Sequence, residues 1–287
     1  MGLHALAPLA NVSRLGADIS VGEHVQKAVG GLTFNWDTIW ATAVAALIVI
    51  SMGLALRRQV TSGSPGRLQA AWEMMVGAIT QQVEGSIGEA GLRIIPLATT
   101  LFVFILVCNL FTLFGLGSKY EFLLVPTADI NLPLAMALYV IVLVHAASVR
   151  ARGVRGYFAH YANQPFPKVL LPFNIFINLV EELAKPLTLA LRLFGNLLSG
   201  TLMLTLIAAL GVWKIGSIPI GNILVLPMNV VWKIFDGLLI GPIQAFIFTL
   251  LTILYFDVAM STDHGEHKEE LIHTVHDPHA EPLPLAA

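Results

Sequence analysis

Long apolar runs separated by short charged stretches dominate this chain, and the lengths of those runs define its elements. Uncharged windows extend from Ile39 to Leu56, Ile94 to Gly117, Ile130 to Val149, Leu193 to Trp213 and Gly237 to Phe256. Each approaches the roughly 20 residues that a helix needs to cross hydrocarbon. A shorter run, Val169 to Val180, continues into Glu181, Glu182 and Lys185 and reads as the first part of a longer, partly polar helix. The pattern predicts an all-α membrane domain over residues 38–260 with five crossings. Within it, residues 68–90 place Leu68, Trp72, Met75 or Val76, and Ile79 opposite Glu73, Gln81 and Glu84, the signature of an amphipathic helix on the membrane surface. Residues 215–232 hold Gly216, Pro219, Gly221 and Pro227 and read as a connection between the last two crossings, turning at the outer surface.

Charge supplies orientation. Arg57, Arg58 and Arg67 follow the first crossing, Arg93 precedes the second, and Arg150, Arg152, Arg155 and Lys168 join the third to the fourth. Basic loops stay cytoplasmic, so the N-terminus is expected outside and the C-terminus inside. Residues 1–37 form a short external segment, and no basic region precedes an apolar core there, so no cleaved signal peptide is expected. Residues 261–287 form an acidic, His-rich tail, expected to be mobile.

Composition agrees with a membrane domain: 56% of the 287 residues are hydrophobic and 12% charged, against about 25% charged in soluble domains. From Asp257 onward seven acids face one lysine, which leaves the rest of the chain at +4 within a net charge of -2. The single cysteine, Cys108, permits no disulfide framework. The tail histidines 264, 267, 273, 276 and 279 lack ligand spacing, and no metal or other cofactor is assigned. No G-x-x-x-x-G-K-[ST] loop is present, so nucleotide chemistry must reside in partners. Nothing points to nucleic acid.

One residue conflicts with its setting. Arg192 lies in "KPLTLALRLFGNLLSG" (185–200), where a mid-membrane cation costs about 2.5–3.5 kcal/mol on insertion scales. Helical steps place Asn178, Glu181 or Glu182, Lys185, Arg192, Asn196 and Ser199 near one face. Glu181 and Glu182 stand about 15 Å from Arg192 along the axis, too far to neutralise it. A counter-ion from another chain is therefore expected. For Lys185, Glu181 and Glu182 two readings stand side by side, a snorkelling ion-pair cluster and an aqueous access path. In the last crossing, Asp236 and Gln244 are eight residues apart, roughly 80° from alignment on a straight helix.

The blocks "ELAKPLTLALRLFGNLLSG" (182–200), "IQAFIFTLLTILYF" (243–256) and "PTADINLPLAMAL" (126–138) resemble subunit a of the F-type ATP synthases, with correspondence from about residue 32 to residue 260. The resemblance implies an ion-translocating stator of the Fo sector, with the last two helices long and tilted against a rotating c-ring. It makes Val169 to Trp213 one bent helix. Arg192 then faces the essential carboxylate of the ring, Gln244 lies close by, and Asn196 belongs to a half-channel. Peripheral-stalk b subunits are implied as partners and the F1 sector as an indirect one, in a bacterial inner or plasma membrane, with the protein not an enzyme by itself. This chain departs from many relatives in having Thr201 five positions after Asn196, and one extra residue between Asp236 and the Q-A-F-I-F block. Asp236 is then the single titratable group of the outer half-channel. Asn109 matches a family polar position. For Asn109 and Thr201 a satisfied intramembrane hydrogen bond fits as well as a transport role.

Two other classes fit the sequence less well. A secondary transporter would place substrate among these charges, but such proteins carry repeats with broken helices in both halves, whereas here the polar residues concentrate in the final third. An intramembrane hydrolase would need a nucleophile with a base, or a motif such as H-E-x-x-H. His145 has no such partner in the sequence and reads as hydrogen-bonded or interfacial.

Overall fold

The computed structural model describes residues 26–29, 32–61, 63, 65–113, 125–163, 171–212 and 220–260. Most of the external segment, the His-rich tail and residues 213–219 lie outside the described residues. Apart from a two-stranded antiparallel hairpin, β1 Gln26–Val29 with β2 Leu32–Asn35, the regular structure described is helical. The helices are α1 Trp36–Gln59, α2 Arg67–Ile87, α3 Ile95–Leu110, α4 Asn131–Asn163, α5 Leu171–Ala209, α6 Ile220–Phe235 and α7 Gly241–Met260. Five continuous runs are long and apolar enough to cross a membrane: Trp36–Gln59, Gly91–Leu113, Asn131–Ala159, Leu171–Ala209 and Ile223–Met260.

The largest core cluster draws on α3, α4, α5 and α7, through Ile105, Val140, Leu189, Leu193 and Phe248. Outward-facing positions are as apolar as inward ones: Leu47, Val142, Phe176, Leu206 and Val231 all stand exposed. A water-soluble protein does not leave so much apolar surface uncovered, whereas in a bilayer the same residues face acyl chains. α5, at 39 residues, is about 58 Å long and cannot stand upright in roughly 30 Å of hydrocarbon. It holds Pro186 in its interior, where the missing N–H and the ring favour a bend.

The surface helix forms as expected, but its seating differs. α2 turns Ile79 and Val83 onto Ala98 and Ile253, while Leu68 stays exposed. The larger correction concerns residues 215–232. The connection expected there is helical from Ile220 onward and continues into the last crossing, with Pro227 inside α6. Proline's fixed φ suits a helix and costs one backbone hydrogen bond, and transmembrane helices absorb that loss through neighbours. The last crossing thus gains 14 residues over the window read from Gly237, starting at Ile223.

Between α6 and α7 lies a π-helical turn, Asp236–Ile240. The Gly241 N–H donates to the Asp236 carbonyl, five residues back. Such a turn takes up one residue beyond the α-helical repeat, so Asp236 and Gln244 are related as if seven apart, about 20° from alignment instead of 80°. Both are buried on the inner face of this crossing.

Candidate functional site

α5 carries four charged side chains, Glu181, Glu182, Lys185 and Arg192. Three of them compensate one another: Lys185 Nζ is 2.7 Å from Glu182 Oε1 and 3.1 Å from Glu181 Oε1. Arg192 is exposed and has no hydrogen bond or ion pair among the described residues. Its exposed polar neighbours are satisfied inside the helix, Thr188 donating to the Ala184 carbonyl at 2.8 Å and Ser199 to the Gly195 carbonyl at 2.9 Å. A guanidinium stays protonated and offers five donors, so this face presents one uncompensated cation among small residues and leucines.

Polar groups flank Arg192 on both sides along the axis. Eight residues further along α5, about 12 Å away, Gly200 meets Asp236. A Cβ placed on Gly200 would lie 3.3 Å from Asp236 Oδ2 and 3.5 Å from Oδ1. Any larger residue there would press on that carboxylate, which would have to give way by a few tenths of an ångström. Trp232 strengthens the contact by donating its Nε1–H to the Gly200 carbonyl at 3.3 Å. Asp236 is 5% exposed, and no cation of the described residues pairs with it.

The π turn below Asp236 is held from α3. Asn109 Nδ2 donates to the Gly241 carbonyl at 3.2 Å, and Thr127 donates its hydroxyl to Asn109 Oδ1 at 3.1 Å. Asn109 is thus hydrogen-bonded at both its amide nitrogen and its oxygen, beside the turn that carries Asp236. Thr201 donates to the Leu197 carbonyl at 3.0 Å, within its own helix. Asn196, half-buried, lies midway between Arg192 and Gly200 in sequence. Gln244 stands eight residues beyond Asp236, as Arg192 stands eight before Gly200, so consecutive crossings running in opposite directions bring the two to one level. Gln244 points inward, 6% exposed, and its Nε2 has no hydrogen-bond partner. No direct contact joins Gln244 to Arg192 within the chain.

On the other flank, Glu182 stands ten residues before Arg192. Its Oε2 lies 3.3 Å from His145 Nε2 on α4, and the Tyr157 hydroxyl lies 3.2 Å from His145 Nδ1. Asn178 is half-buried one turn before this cluster and has a polar partner of its own. Tyr157 joins this cluster because α4 breaks at Gly153, whose φ of 70° is a left-handed value that other residues resist. In a straight helix, Tyr157 would be about 18 Å from His145; the break folds it back until the rings are 6.0 Å apart.

Sequence reasoning missed three participants. Thr127 and Asp129 are both buried. Asp129 accepts from Asn35 Nδ2 at 2.7 Å, from Thr38 at 2.9 Å, and from Asn131 N and Nδ2 at 3.0 and 2.8 Å, tying the start of α1 to the start of α4. The available signal was an acid in the otherwise uncharged "PTADINLPLAMAL" block. The third, Gly200, was passed over because a glycine's role in a close approach is visible only once both helices are placed.

Fold and site together define a multi-pass α-helical membrane protein with a line of charged and polar residues whose central cation lacks a counter-ion among the described residues. Comparison with known proteins narrows this class. Residues 7–257 match the ATP synthase A chain family. ATP synthase subunit a of Acidothermus cellulolyticus is 43% identical over 257 residues, 89% of this chain and 88% of that one. The subunits a of Mycobacterium marinum and Mycobacterium tuberculosis are 42% and 41% identical, covering 89% and 88% of this chain and 99% and 98% of theirs. The chain belongs to the ATP synthase A chain family.

Proposed function

We propose that this chain is the proton-conducting stator of an Fo sector, in which two half-channels meet a rotating c-ring at Arg192. The observation that carries the reading is the exposed, unpaired guanidinium midway along α5, with Asp236 about 12 Å to one side and Glu182 about 15 Å to the other. A cation on that surface needs a carboxylate from a neighbour, because lipid offers none. The orphaned Gln244 Nε2 at the same level is a second donor lacking an acceptor, worth about 1–3 kcal/mol if left so.

In this mechanism Arg192 never passes a proton. It attracts the ionised ring acid and disfavours its protonated form alongside. A proton entering through Asp236 loads the ring acid on one side of Arg192. It leaves on the Glu182 side only after nearly a full turn. Each charge crossing the potential supplies about 2.3 kcal/mol per 100 mV, which rotation delivers to F1. The basic loops after the first and third crossings are cytoplasmic, which puts the Glu182 flank inside and the Asp236 flank outside, in a bacterial inner or plasma membrane. Peripheral-stalk b subunits hold the chain against the ring.

The test is Arg192→Lys in the complete synthase reconstituted into vesicles. An ammonium loses its proton when desolvated and lacks the planar fork of guanidinium, so ATP synthesis and ATP-driven pumping should both fall to background. Unimpaired synthesis overturns the proposal. So does purification of the native chain without a ring or stalk, the outcome expected of a secondary transporter.

A further inference from the structure

We propose that His145 is a proton-transfer residue of the half-channel on the Glu182 side, exchanging a proton with Glu182 at Nε2 and with the Tyr157 side and water at Nδ1. The inference rests on the stator reading above but concerns a residue to which neither the sequence nor the family match gave a role.

Both ring nitrogens of His145 have polar partners, an acid at 3.3 Å and a phenol hydroxyl at 3.2 Å. A proton can thus enter the ring on one edge and leave by the other without the side chain moving. The two oxygens of Glu182 have separate duties, since Oε1 is held by Lys185 at 2.7 Å while Oε2 faces the imidazole. With a fixed cation on one oxygen, the other is left facing the imidazole. Exposure rises in the same direction, from 19% for the Glu182 side chain to 31% for that of His145. The break at Gly153 is needed for the far end of this chain of contacts, because it alone brings Tyr157 to Nδ1.

The step balances. Glu182 loses its O–H as an Nε2–H bond forms on His145, giving an imidazolium. Its Nδ1–H then breaks as water takes that proton, either directly or through the phenol oxygen, whose own O–H proton passes to water in the same step. The ring regains its starting tautomer by exchange with water at its exposed edge. Imidazole is the side chain whose charge ordinarily changes between about pH 5 and 8. The surrounding titratable and charged groups are Glu181, Glu182 and Lys185 on α5, Tyr157 beyond the break, and Arg152, which caps the Val258 carbonyl of α7 at 3.0 Å. Tyr255 and Asp257 lie at that same end of α7.

The experiment measures ATP-driven proton pumping by the reconstituted synthase as a function of pH on the Glu182 side. His145→Ala should slow pumping about tenfold, less than the ~100-fold a positioned proton donor often contributes, because water already reaches this flank. Free imidazole added on that side should restore most of the rate. His145→Gln fills the space and keeps a hydrogen bond to Glu182 but cannot carry the proton. It should stay slow with or without imidazole and change the pH profile of pumping. The inference is overturned if His145→Gln pumps at the unsubstituted rate with an unchanged pH profile. It is equally overturned if His145→Ala is slow, unresponsive to imidazole and unaltered in pH profile, the behaviour of a brace between α4 and α5. Arg192→Lys run in parallel separates the two proposals: normal pumping there removes the stator reading, whereas background pumping there with normal His145→Gln removes this one alone.

Discussion

The two flanks of Arg192 solve the problem of an intramembrane carboxylate in opposite ways. At Glu182 the acid is surrounded by charge: a lysine at 2.7 Å, a second acid on that lysine at 3.1 Å, and a histidine at 3.3 Å. Asp236 is in no ion pair among the described residues and instead has a glycine that leaves it space and a π turn that aims the side chain. A compensated cluster tolerates water and loses little when one member changes. A lone buried acid depends on placement, since nothing nearby can replace it.

That difference is open to a direct break. On the Glu182 flank Glu181, Lys185 and His145 form one cluster, so other charged or titratable groups remain when one is lost. On the other flank Asp236→Asn leaves no titratable side chain beside Gly200. Pumping should therefore fall about 100-fold or more, the usual contribution of a positioned proton donor, while assembly with the ring is retained because the amide matches the carboxyl in shape. A variant that assembles and pumps at even a third of the normal rate would show that the two flanks are alike.

Placement is the part of this site that the sequence conceals. Run lengths located the five crossings because hydrocarbon thickness imposes a length on any helix that spans it. Arg192 stood out for an equally simple reason, the cost of an uncompensated cation. The alignment of Asp236 with Gln244 could not be read in this way. A straight helix separates them by about 80°, and a π turn, which has no reliable residue signature, brings them within about 20°. Pro227 misled in the other direction. Its breaking tendency in water does not transfer to a helix whose neighbours lie in lipid. The Asp129 bonds to Asn35 and Thr38 join residues 94 and 91 positions apart, and such distant hydrogen bonds leave no periodicity in a single chain.

If placement governs the Asp236 flank, crowding that acid should act almost as strongly as removing it. Gly200→Leu puts a branched side chain where a Cβ alone would approach Oδ2 to 3.3 Å. Overpacking costs about 1–3 kcal/mol, and displacement of the carboxylate by a side chain's width should slow pumping about tenfold, about 1.4 kcal/mol in barrier. Gly195→Leu, at a half-buried position on the same helix with no heavy atom near its Cβ position, introduces the same bulk away from Asp236. Loss of pumping there with intact assembly would trace to the ring face instead. Equal, mild effects from both substitutions would remove the claim that Gly200 serves Asp236.

The smallest expected effect tests the support two bonds away from the acid. Thr127 is fully buried and donates to Asn109 Oδ1, whose own amide donates to the Gly241 carbonyl at the end of the π turn. Thr127→Val keeps the shape and deletes the hydroxyl, so Asn109 Oδ1 loses a donor in a site that cannot easily admit water. A buried acceptor without its donor costs about 1–3 kcal/mol. Most of that should appear as a lower melting temperature of the assembled complex, because helix packing and not the turn alone absorbs it. The remainder loosens Asn109 and lets the π turn relax, which should slow pumping about threefold, roughly 0.6 kcal/mol in barrier. Thr127→Ser retains the hydroxyl and should restore the rate while recovering only part of the stability, since it lacks the methyl group. A valine variant that loses stability but pumps normally would mean that the π turn holds Asp236 without help from α3, and the dry flank would then owe its geometry to the Gly200 contact alone.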